Sequence, residues 1–133
     1  MSAALRFLIF IIVIILKFIF NRDEITRDLI AGAAVVYLLT AITWTYVYRL
    51  IEMIQPGSFA IAQSQIFGEQ SPFLYYSFVT ITTLGYGDVT PVSNPARSLA
   101  LLEAILGQLY IAILIARLVG THIAQASRNG TNL

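Results

Sequence analysis

Hydrophobic positions run along this chain in three long blocks and one short one. Residues 29–48 form 20 consecutive uncharged positions, nearly all apolar. A helix needs about 20 such residues to cross a bilayer, so this block predicts a spanning helix over 29–54. Gln55-Pro56-Gly57-Ser58 then stops it, because proline lacks the amide donor and glycine frees the backbone. Residues 1–20 are also apolar, with Arg6 and Lys17 placed where long side chains can snorkel to the headgroups. They predict an N-terminal transmembrane helix, with a helix lying along the interface as the alternative. A signal peptide fits poorly, since no small-residue cleavage site precedes the charged stretch 21–28. The third long block, 95–127, is uncharged between Glu103 and Arg117 and contains Gly107 and Gly120. Asn94 suits a cap for it and Pro95 a first turn. Residues 128–133 are read as a tail.

The short block lies between the last two long ones. Ser71-Pro72 has the form of a helix start, and a helix over 72–82 rises only about 16 Å. It cannot cross a hydrocarbon core of about 30 Å. It can enter the membrane and must then return. Backbone that turns at membrane depth is tolerated only inside protein or beside water. The pattern therefore predicts a re-entrant segment lining a cavity.

Composition supports a membrane protein. Of 133 residues 58% are hydrophobic and 11% charged, against about 25% charged in soluble domains. Mean hydropathy is +0.80. A net charge of +1 supplies no basic field for nucleic acid. With no Cys and one His, neither a thiolate nor a multi-histidine metal site fits in one chain, and no nucleophile–base pair suggests an enzyme. Lys17, Arg22, Arg27, Arg117 and Arg128 lie on one side of the spans, and Arg49 and Arg97 on the other. The positive-inside bias puts the 21–28 loop and the C-terminus in the cytoplasm of a multi-pass cell-membrane protein.

The string Thr80-Ile81-Thr82-Thr83-Leu84-Gly85-Tyr86-Gly87-Asp88 carries the chemistry. Gly85 and Gly87 reach positive φ without steric cost. A chain alternating left- and right-handed conformations can aim successive carbonyls to one side. Four copies around an axis then make stacked oxygen rings that replace a cation's hydration shell. Thr83 can add its hydroxyl. Leu84 and Tyr86 are expected to point outward and wedge against the short helix. That helix ends with about −0.5 charge facing the place where a cation would wait.

Thr83-Leu84-Gly85-Tyr86-Gly87 resembles the selectivity filter of tetrameric K⁺ channels, with Leu where Val is commonest. The order of outer helix, pore helix, filter and inner helix matches too, over about three quarters of the chain. The resemblance implies an all-α homotetrameric membrane pore conducting K⁺, with no cofactor beyond the permeant ion. Domains would be the N-terminal helix 1–20, a loop 21–28, a pore domain 29–127 and a tail 128–133. It implies K⁺ at Thr83, Leu84, Gly85 and Tyr86, and Gly87 completing the filter. Support would come from Asp88 at the outer mouth, Thr82, Tyr75 and Tyr76, with Tyr86 meeting Tyr76 and Asp88 accepting from Tyr75. Gly107 sits where relatives place a hinge, although close packing alone also explains it. Gln108, Ile111, Ile115, Val119 and Ile123 would line the cavity and gate. Val79 stands where some prokaryotic channels carry a carboxylate, so an inactivation device built on that acid is not expected. Residues 7–16 hold no charge, whereas voltage-gated relatives carry an arginine array before the pore. A non-selective cation pore, or a non-conducting membrane assembly protein, are the competing functions.

Of the remaining polar residues, Glu103, an acid inside a spanning helix, reads either as a functional group or as a buried, hydrogen-bonded and protonated support behind the pore helix. Arg49 and Glu52 read as a weak surface pair. His122 reads as a bland interfacial residue or a pH sensor.

Overall fold

The computed structural model describes residues 2–20, 27–61 and 71–130. Six elements follow in order: α1 Ser2–Phe20, α2 Arg27–Ile54, β1 Phe59–Ile61, α3 Pro72–Ile81, β2 Val89–Pro91 and α4 Asn94–Gly130. Two stretches, Asp28–Ile54 and Asn94–Ile123, are long and apolar enough to cross a membrane, and α3 is not.

Local chemistry sets the helix ends. The last regular bond near the end of α2 runs from the Gln55 amide to the Ile51 carbonyl. Gly57 then turns the chain at φ 83°. Its amide donates to Glu52 Oε1 at 2.8 Å, so Glu52 serves the turn rather than a pair with Arg49. Ser71 is extended before Pro72 but makes no side-chain cap bond. Ser93, not Asn94, caps α4: its Oγ accepts from the Ala96 amide at 3.3 Å and its carbonyl from the Arg97 amide at 3.0 Å. Asn94 is already inside the helix.

Several expected boundaries move. Arg27 and Asp28 belong to α2 rather than to a loop, while 21–26 lie outside the described residues. The inner helix continues through residue 130, absorbing half of the expected tail, and 131–133 lie outside the described residues. The helical frame also carries a small sheet. β1 and β2 form an antiparallel pair, with Phe59 opposite Pro91 and Ile61 opposite Val89. Ser58 extends the pairing by accepting from the Val92 amide at 2.8 Å. Strands of three residues are too short to show a period of two, so the hydrophobic pattern could not announce them.

Two clusters hold the elements together. Trp44 and Tyr48 of α2, Phe59 of β1, Tyr76 of α3, Val89 of β2 and Ala96 and Ala100 of α4 form one. The other joins Leu29, Ala33 and Val36 of α2 to Ile12, Ile15 and Leu16 of α1 and to Tyr110, Leu114 and Leu118 of α4. The first fixes the base on which the 80–88 segment stands.

Candidate functional site

The site begins where α3 stops. Thr82 is the C-cap, the Thr83 amide donates to the Thr80 carbonyl at 2.9 Å, and the Leu84 amide to the Val79 carbonyl at 2.9 Å. This pair of bonds is a Schellman ending, with Thr83 in the left-handed position that glycine usually fills. Thr83 has φ 59° and is the one non-glycine residue with positive φ among the described residues. A β-branched residue there is strained, by about 1–2 kcal/mol. Such outliers gather where function over-determines the backbone. Gly85 at φ 58° and Gly87 at φ 80° continue the series, while Leu84 and Tyr86 between them keep negative φ. The handedness thus alternates through five residues, as the glycine spacing suggested, and threonine joins the series as well.

Leu84 and Tyr86 depart from expectation. They are 55% and 67% exposed and do not wedge against the chain's own α3. Within the chain Tyr76 does not meet them. It is buried edge-on to Tyr48 at 5.0 Å and to Phe59 at 5.4 Å, and no hydrogen bond joins it to Tyr86. Its aromatic face is spent on the core. Tyr75, by contrast, donates to Asp88 Oδ2 at 2.6 Å, and Asp88 Oδ1 accepts from the Val89 amide at 3.0 Å. Thr82 turns its hydroxyl back onto the Phe78 carbonyl at 2.6 Å. Gln108 Nε2 lies 3.5 Å from Thr83 Oγ1, at the limit of a hydrogen bond.

Behind the segment, α3 is clamped from two sides. The Tyr37 hydroxyl of α2 donates to the Ile81 carbonyl at 2.9 Å. On α4, a Cβ added to Gly107 would lie 2.6 Å from the same carbonyl oxygen. Glycine is what lets the inner helix touch the end of α3, so close packing accounts for Gly107 in this structure. Gly120 has open space where a Cβ would go, so no packing within the chain requires it. Tyr110 of α4 stacks on Tyr37 with ring centres 5.9 Å apart and donates to the Ala33 carbonyl at 2.7 Å.

Higher on the same wall, Glu103 is fully buried. Tyr48 of α2 bonds its Oε2 and Ser77 of α3 its Oε1, which joins three helices at one carboxyl. Support behind α3 is the place the sequence suggested for Glu103.

The face of α4 that carries Ile111, Ile115, Val119 and Ile123 is left uncovered, at 36%, 55%, 53% and 63% exposure. Val119 and Ile123 also line a cavity of about 330 Å³ with Ile30, Leu118 and His122, so their stripe continues sideways toward α2.

Sequence reasoning missed Tyr37, Tyr48 and Ser77. The signal existed for two of them. Positions 37, 41, 44 and 48 fall on one face of α2 at helical spacing, and that face carries Tyr, Ala, Trp and Tyr. Two hydroxyls on an otherwise apolar spanning face mark where partners with free acceptors must lie.

Residues 8–122 match a family model described as an ion channel. Protein LctB of Geobacillus stearothermophilus is 46% identical over 46 residues. That stretch is 35% of this chain and 34% of LctB, so the chain spans about a third of that relative's length.

Proposed function

Since the chain belongs to the ion-channel family, with the match covering residues 8–122, we propose that it forms a potassium-selective pore. In this reading four copies surround one axis, and the carbonyls of Thr83, Leu84, Gly85 and Tyr86, with the Thr83 hydroxyl, face it. The observation that carries the reading is the alternating backbone: positive φ at Thr83, Gly85 and Gly87, directly after a short helix that cannot span. Hard oxygen ligands at several successive levels suit an alkali cation stripped of water. The negative end of α3 favours a cation waiting at its foot.

The fourfold arrangement is supported by what one chain leaves undone. Its Leu84, Tyr86, Ile115, Val119 and Ile123 are all more than half exposed. Copies of the same surface, related by a closed symmetry, cover such residues without leaving an edge. Tyr86 then packs on a neighbouring subunit rather than on its own α3. Val119 and Ile123 form an apolar ring that closes the exit by dewetting.

The test is a flux assay on purified protein in liposomes. A K⁺ gradient should drive uptake that Ba²⁺ blocks, with Na⁺ excluded. Equal K⁺ and Na⁺ flux would make it a non-selective cation pore. No flux from a correctly inserted tetramer would make it a non-conducting assembly protein.

A further inference from the structure

Glu103 carries a hydrogen-counting problem that the channel reading does not use. Ser77 Oγ makes two hydrogen-bond contacts, one to Glu103 Oε1 and one to the Ala41 carbonyl of α2 at 2.7 Å. A serine hydroxyl has one hydrogen, a carbonyl has none, and an ionised carboxylate has none. With Glu103 charged, one of these two contacts would set lone pair against lone pair. With Glu103 neutral, the sequence closes: Tyr48 donates to Oε2, the Oε1 hydrogen goes to Ser77, and Ser77 donates to Ala41.

The surroundings agree. Glu103 and Ser77 are both fully buried. The titratable groups around the carboxyl are Tyr37 and Tyr48 from α2 and Tyr76 from α3, all neutral acids. No Lys or Arg among the described residues acts on it from α2, α3 or α4 itself. A buried carboxylate without a cation is heavily disfavoured.

We propose that Glu103 is a positioning residue that works as a neutral carboxylic acid, donating to Ser77 and accepting from Tyr48, and so fixes the depth of α3 behind the 83–87 segment. The protonation part stands by itself, whereas the effect on selectivity rests on reading that segment as the filter. Ser77 lies four residues before Ile81, whose carbonyl is the contact with Gly107 and Tyr37. Moving Ser77 therefore moves the foot of the segment. Raising the pH strips the Oε1 hydrogen and places a charge in the wall.

Glu103→Gln separates the parts. An amide donates from nitrogen and accepts at oxygen, so it keeps both bonds but has no acidic proton. The infrared spectrum of the wild-type tetramer at neutral pH should contain a protonated-carboxyl band that Glu103→Gln removes. Glu103→Gln should keep wild-type K⁺/Na⁺ selectivity and hold it at alkaline pH, where the wild type loses it. Glu103→Ala should lower the permeability ratio about tenfold, the value of one buried hydrogen bond left unmade. If Glu103→Ala fails to assemble, Ser77→Ala breaks the same contact without creating a large cavity and should show the same loss. Absence of that band in the wild type would overturn the proposal, whatever the channel conducts. So would a Glu103→Gln protein as impaired as Glu103→Ala. If the band is present but neither the wild type nor any variant conducts, the neutral acid stands and the filter reading falls.

Discussion

The two sides of the 83–87 segment are built to opposite rules. Behind it, every polar group described meets a partner within the same chain: Tyr37 on Ile81, Tyr48 and Ser77 on Glu103, Tyr110 on Ala33. Gly107 closes the packing to van der Waals contact. In front, Thr82 through Gly87 are exposed, Leu84 and Tyr86 are uncovered, and the backbone holds a strained threonine. The back is complete in one copy. In the proposed pore the front is completed by other copies of the chain. The rigid wall behind Thr83 explains how its strained backbone survives.

The sharpest way to break the back is Gly107→Ala. A methyl 2.6 Å from a backbone oxygen cannot be relieved by a rotamer change. Overpacking of this kind costs about 1–3 kcal/mol per chain. Thermal stability of the tetramer should fall, together with K⁺ flux. A hinge glycine would give the opposite sign, since Ala in a helix interior gains about 0.5–1 kcal/mol. A raised melting temperature in this variant would therefore restore the hinge in place of packing.

Gly87→Ala strikes the front. At φ 80° a Cβ is strained by about 1–2 kcal/mol per chain, although nothing lies within 4 Å of it. The helices should fold as before, because no wall contact is touched. K⁺/Na⁺ selectivity should disappear in a liposome flux assay, and unchanged selectivity would remove the filter assignment.

Tyr75→Phe tests the link between the two sides. It deletes the hydroxyl that donates to Asp88 and leaves Asp88 with the Val89 amide. The change removes one hydroxyl donor from a part-buried pair, so the fold should be little affected. Conductance should become sensitive to removal of external K⁺, measurable as a faster decline on K⁺ washout than in the wild type.

The smallest effect on stability is expected for Val119→Asn. The side chain is half exposed in its own chain and faces the axis in the proposed pore, so the change removes little packing. Open probability should nevertheless rise, because an amide hydrates an apolar constriction. Single-channel recording with no change in open probability would move the gate away from α4 and into the filter.

The order of elements was legible because each is written locally. The span at α2, the stop at Pro56-Gly57 and the short α3 after Ser71-Pro72 all follow from runs and breakers. Even the front of the site was legible, since Gly85 and Gly87 announce positive φ by their type. Thr83 was not, because nothing in a threonine signals a left-handed conformation; the helix ending imposed it. The burial of Tyr76 in the chain's own core was not legible either, for a related reason. Which of two adjacent tyrosines faces the core depends on the rotation of α3, and that rotation is fixed by Tyr48 and Phe59, on other elements.

Membrane character, the order of helices and the positive φ of Gly85 and Gly87 are local properties, encoded by a few neighbouring residues through hydropathy and allowed φ. The wall behind the segment comes instead from contacts between residues far apart in the chain. Tyr48 finds Glu103 across 55 positions, Tyr37 finds Ile81 across 44, and Ser77 finds Glu103 across 26. Each pairing depends on how three helices are rotated and how deeply they are set against one another, which no local pattern specifies.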